Sequence, residues 1–139
     1  MKTMLIMLSL VVSIGWRVDE QPRAEVATII IYRQREFGGG GYTLKLNGKH
    51  VGSLPQNRFL IATTQPGRVK IESEGAYLTD VKMVTFIVES GQTYYMKAIE
   101  DIDFMTRALL MARVSEVQAK RELSRIKPME PAQQDQNHE

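Results

Sequence analysis

Cysteine is missing from this chain, which excludes disulfides, thiolate nucleophiles and cysteine-ligated zinc together. Histidine is scarce: His50 and His138 are the only two, far apart in sequence. Zinc sites draw on three or four ligands, so no histidine-based metal centre is expected. A Ser-His-Asp relay built on His50, which follows a turn, has no second signal behind it. Charge of one sign is also lacking. The 18 Lys and Arg face 16 Asp and Glu, for a net +2. The basic residues are scattered rather than gathered, so nothing calls for nucleic acid. No apolar run reaches the roughly 20 residues of a spanning helix.

What is present suits one folded domain. The chain has 139 residues, 43% of them hydrophobic and 24% charged, enough for a core and a soluble surface. Tyr42, Leu44 and Leu46 alternate with Thr43 and Lys45, the pattern of a half-buried strand. Asn47-Gly48 follows, two residues that tolerate the positive φ of a tight hairpin turn. A return strand, a strand over residues 58–64, the punctuation Pro66-Gly67 and a strand over 68–74 come next. Residues 25–33 are almost continuously β-branched and apolar, as in a strand covered on both faces. Residues 83–89 and 93–99 flank Ser90-Gly91-Gln92 and read as a second hairpin. Residues 104–126 have helical composition throughout, yet Ser115-Glu116-Val117-Gln118 fits a capping box. That box favours a strand over 107–114 and then a helix with Ala119, Leu123 and Ile126 on its apolar stripe.

The ends read differently. Lys2, the apolar run of residues 4–12 and the small residues Ser13 and Gly15 have the layout of a secretory leader over residues 1–15. If uncleaved, the same segment would serve as a membrane anchor. Residues 128–139 are polar and rich in glutamine, and are expected to be a disordered tail to the domain of 25–127.

The order of these pieces resembles a known family. Ile30-Ile31-Tyr32-Arg33 leads to a glycine-rich loop and to Leu44-Lys45-Leu46-Asn47-Gly48-Lys49-His50-Val51-Gly52-Ser53-Leu54. Arg58-Phe59, Pro66-Gly67, Gly91-Gln92-Thr93-Tyr94-Tyr95, Val114-Ser115-Glu116 and Glu122-Leu123 follow. Together they resemble the bacterial domain-of-unknown-function family 2846, small exported proteins, over residues 25–127. The resemblance implies a mainly β fold, an antiparallel β-sandwich of the transthyretin- or Ig-like kind. About seven strands and one short C-terminal helix would build it. The family has no established activity, and no catalytic residues carry over. Lipoproteins in such families end their leader in a lipid-bearing cysteine. Trp16 follows Gly15 here, so lipidation at that point is excluded.

Candidate site residues are few. The four glycines at 38–41 precede a strand rather than a helix, which excludes a Walker or Rossmann phosphate loop. Glu100, Asp101 and Asp103 lack the glycine and distal glutamate of an EF-hand and read as a solvated link. Arg33, Arg35 and Phe37 cluster at a strand end and are candidate partner contacts. Tyr94 and Tyr95 point to opposite faces of their strand, one expected in the core and the other exposed as a contact. No cofactor is expected. The function expected is a non-enzymatic, exported cell-envelope module, periplasmic or anchored in the inner membrane, that binds a protein partner of the envelope. The alternative is a periplasmic binder of a small ligand, carbohydrate or anionic lipid.

Overall fold

The computed structural model describes residues 25–128. The leader or anchor expected over residues 1–15, and all of the expected tail beyond Pro128, lie outside the described residues.

Among the described residues ten strands form two sheets, accompanied by one helix, where about seven strands were expected. The smaller sheet has the order β3 (Lys49–Leu54), β2 (Tyr42–Leu46), β5 (Gly67–Glu74), β7 (Lys82–Val88). The larger has the order β10 (Lys127–Pro128), β4 (Arg58–Thr64), β1 (Ala27–Arg33), β8 (Thr93–Ile102), β9 (Arg107–Val114), β6 (Thr79–Asp80). Alternation decides which side chains meet between them. Ala27, Ile29 and Ile31 of β1 face inward against Leu44, Leu46, Val69 and Ile71 of the other sheet. Ser73, fully buried, donates from β5 to the Leu109 carbonyl of β9 at 2.9 Å and so ties one sheet to the other.

The pairing is not all antiparallel: the short strands β10 and β6 run parallel to β4 and β9. β1 and β8 pair in parallel at the centre of the large sheet. In addition, β7 and β8 are not a hairpin: β7 pairs with β5, while β8 lies between β1 and β9. The turn at Ser90-Gly91-Gln92 therefore carries the chain from one sheet to the other. A glycine-bearing turn reverses the chain whichever sheet receives it, so local chemistry could not distinguish the two.

The Asn47-Gly48 hairpin is as expected. Both residues have positive φ, 50° and 82°, the signature of a type I′ turn. A Cβ on Gly48 would meet nothing, so the demand there is conformational, not steric. Gly48→Val is expected to destabilise by about 1 kcal/mol or more, measured by urea denaturation. An unchanged midpoint would contradict the turn assignment.

The strand-then-helix reading also holds, but the helix ends at Leu123, so Ile126, expected on its stripe, lies beyond it. Ser115 caps α1 (Glu116–Leu123), its Oγ accepting from the Gln118 N–H at 3.2 Å. The reciprocal half of the capping box is not made, because the Gln118 side chain runs forward to Glu122. The helix lies on the outer face of the large sheet. Ala119 and Ile126 pack there against Tyr32 and Tyr95, with Phe59 and Leu123 at the margin. Glu122 is half-buried at the same face. It accepts from the Tyr32 hydroxyl at 2.9 Å and pairs with Lys97 at 2.9 Å.

Candidate functional site

The end of the sandwich where β1 stops and β2 begins gathers an unusual set of polar side chains. Arg33 closes β1 on its inward face, because the alternation that buries Ile29 and Ile31 also buries it. Its side chain is 0% exposed, and burying a charge is costly unless it is paired and hydrogen-bonded. Every face of the guanidinium is engaged. Nε meets Glu36 at 2.7 Å, one terminal nitrogen meets Glu100 at 2.9 Å, and the other donates to the Gly40 carbonyl at 2.6 Å. Its carbon lies 5.5 Å from the centre of the Tyr42 ring.

Glu100 is the counterpart, its side chain 3% exposed. Its second oxygen accepts from the Tyr42 hydroxyl at 3.0 Å and lies 4.0 Å from Arg107. The backbone N–H of Glu100 donates to Glu36 at 2.8 Å, closing a ring of contacts. Two arginines thus balance two carboxylates. Tyr42 is pushed up to about 12 by burial and by its bond to Glu100, so its hydroxyl remains a donor. Gly39, at φ 92°, lies against the Glu100 carboxylate, and a Cβ there would collide with it. The glycine run is therefore a close-approach loop that covers the ion pair.

Above this network opens a cleft of about 490 Å³. Tyr42, Glu100 and Gly40 line it, together with residues 76–79 before and within β6 and the β8–β9 turn. Its rim is apolar and exposed: Tyr77 (90%), Leu78, Phe104 (97%) and Met105. Leu78 has φ 60°, a costly conformation for a branched side chain. It is held there by the Arg107 N–H, which donates to the Leu78 carbonyl at 3.1 Å. Arg107, about half exposed, is a cation among the residues lining the cleft.

The sequence-predicted contact residues divide. Phe37 is fully exposed at this same end, and Arg35 is also at the surface. Arg33 is corrected from a partner contact to a buried ion-pair residue. Tyr94 and Tyr95 do point to opposite faces, but both are buried. Tyr94 lies in the core between the sheets, and α1 covers Tyr95, so neither is an exposed contact. Glu100 is corrected from a solvated link to a buried carboxylate, because β8 continues to Ile102 and alternation turns Glu100 inward. The sequence pattern alone does not mark Tyr77, Leu78, Phe104 and Met105 as contacts. A signal existed: Phe104-Met105 sits between Asp103 and Thr106 in a hairpin turn, a place where large apolar residues gain no burial. Among the described residues no three His, Asp or Glu side chains gather as a metal site would require.

The family described as "Protein of unknown function (DUF2846)" matches residues 23–107, more than half of the chain. Comparison with curated proteins gave no match. Comparison with solved structures gave none either.

Proposed function

We propose that this chain, which belongs to the DUF2846 family, is a non-enzymatic binding module of the cell envelope that holds a protein partner at the open end of its sandwich. The observation that carries this reading is the exposed rim of Tyr77, Leu78, Phe104 and Met105 around one cleft. Scattered apolar residues on a surface need no explanation, but a contiguous set marks an interaction site. Backbone bonds support it by fixing the segments that carry the rim, Arg107 N–H to the Leu78 carbonyl at 3.1 Å and Asp103 N–H to the Thr106 carbonyl at 2.9 Å, so that little ordering cost is left for binding. Export to the envelope rests on the leader-like sequence of residues 1–15.

Capture of partners from detergent-solubilised envelopes, with the wild-type chain beside Phe104→Ala and Tyr77→Ala, tests the proposal. Truncating a central aromatic anchor should cost about 2 kcal/mol, about thirty-fold in affinity. The captured component should therefore be lost or strongly reduced. Equal recovery by wild type and both variants, or no recovery at all, would overturn the reading.

A small ligand is the second reading, supported by the cleft volume of about 490 Å³, within the range of ligand pockets. Arg107 at its edge suits a ligand with an anionic group, such as an acidic sugar or lipid headgroup. A thermal shift with such a compound that Arg107→Ala abolishes would favour it. The absence of any shift across sugars and anionic lipids would eliminate it.

A further inference from the structure

Among the described residues, β7 forms one edge of the four-stranded sheet and pairs with β5 alone. In an antiparallel ladder each residue directs its N–H and C=O to the same side, and the side alternates along the strand. Lys70 of β5 directs both to Asn47, its N–H donating to Oδ1 and its C=O accepting from the Asn47 N–H, each at 2.8 Å. Lys70 therefore faces away from β7, and its opposite residue Thr85 faces away from β5. By alternation Met83, Thr85 and Ile87 present N–H and C=O to the open edge. Their side chains are exposed as well, Met83 at 62% and Ile87 at 67%. Residues 83–88 contain no proline and no charge. A long, open, apolar edge of this kind is a template for another strand. The opposite edge is different: β3 carries Lys49 and His50, and its pairing with β2 is interrupted by a register shift, which blunts it.

We infer that β7 pairs antiparallel with β7 of a second copy of this chain, on a two-fold axis through Thr85, so that the two small sheets join. Register favours this occupant. Met83 then lies opposite Ile87 of the second copy and Thr85 opposite Thr85, using every free group of the three residues on both chains. A two-residue slip one way calls on the Glu89 N–H, which already donates to the Tyr94 hydroxyl at 2.8 Å. The slip the other way leads into Val81, outside the strand. A one-residue slip would turn the inward side chains outward. Charge favours it too. Arg68 lies beside Ile87 and Glu72 beside Met83 on β5. Each apolar pair across the seam is thus flanked by Arg68 of one chain and Glu72 of the other. A parallel arrangement would set like against like. The contact is isologous and closes on itself, consuming both β7 edges.

The absence of cysteine makes a sharp test possible. In the full chain, Thr85→Cys should form a disulfide-linked dimer under mild oxidation, since hydrogen-bonded partners lie about 5.5 Å apart at Cα. Met83→Cys should not, because the two copies of residue 83 would be about 13 Å apart. Sedimentation velocity should show wild type as a dimer that dissociates on dilution. Ile87→Lys, folded by circular dichroism, should be monomeric. A wild-type chain that stays monomeric at the highest concentration reached would overturn the inference. So would equal cross-linking through positions 83 and 85, or an Ile87→Lys chain that still dimerises.

Discussion

Arg33→Ala is expected to lower the unfolding free energy by about 3–5 kcal/mol, because removing one partner of a buried pair leaves the other charge uncompensated. Two carboxylates, Glu36 and Glu100, depend on this one guanidinium. Glu100 has almost no access to water, and its remaining cation, Arg107, lies at 4.0 Å. For a domain of this size 1 kcal/mol corresponds to about 4–8 °C in melting temperature, so a fall of more than about 12 °C is expected. Arg33→Lys should fall between wild type and Arg33→Ala. A single ammonium keeps the charge but cannot present the planar fork that reaches Glu36, Glu100 and the Gly40 carbonyl together. Arg107→Ala should change stability by less than about 1 kcal/mol, since its head is half in water. Urea denaturation of the three variants decides the matter. If Arg33→Ala proved as mild as Arg107→Ala, the network would not be what secures this end of the sandwich.

The second large effect lies on the opposite face of β1. Tyr32 is 0% exposed, its ring held between the large sheet and α1, and its hydroxyl donates to Glu122. Tyr32→Ala is expected to cost about 3–5 kcal/mol, as for other buried aromatics. Tyr32→Phe keeps the ring and should cost only about 1–2 kcal/mol, because Lys97 and Gln118 still satisfy Glu122. Hydrogen exchange in α1 should accelerate strongly in the alanine variant and little in the phenylalanine variant. Equal protection in both would mean that the helix does not depend on the ring.

Glu122 adds a pH dependence. Burial, the largest single influence, works to raise its pKa. The donors Lys97, Gln118 and Tyr32 together outweigh burial and hold the carboxyl below its ordinary value. A depressed carboxylate contributes stability that is present above the unfolded value, about 4.3, and is lost as pH falls through the folded value. The stability gap between wild type and Glu122→Gln should therefore be full at neutral pH and close under acid. A gap that widened on acidification would have the wrong sign. Tyr32 itself is pushed upward by burial first and then by Glu122, and remains a donor throughout this range.

Local chemistry was enough for much of the architecture. Asn47-Gly48 is a turn because both residues accept positive φ, and Ser115 starts a helix because its hydroxyl satisfies a free N–H. Alternation along residues 42–46 identified buried and exposed faces before any partner was known. Those signals act over two to four residues, so the sequence by itself determined them. The choice of sheet did not lie within that range. The glycine turn between β7 and β8 is equally compatible with a hairpin and with a crossing, and only packing against β1 and β5 decided for the crossing. The site was hidden for the same reason. Arg33 and Glu100 are 67 positions apart, and each reads as a solvated charge at a strand end until the parallel pairing of β1 and β8 brings the two ends together. Tyr95 was read as a possible contact because alternation gives the face and not what covers it; α1 covers that face. Burial of a charge or exposure of an aromatic depends on which distant strand arrives beside it, and that information resides in the tertiary structure alone.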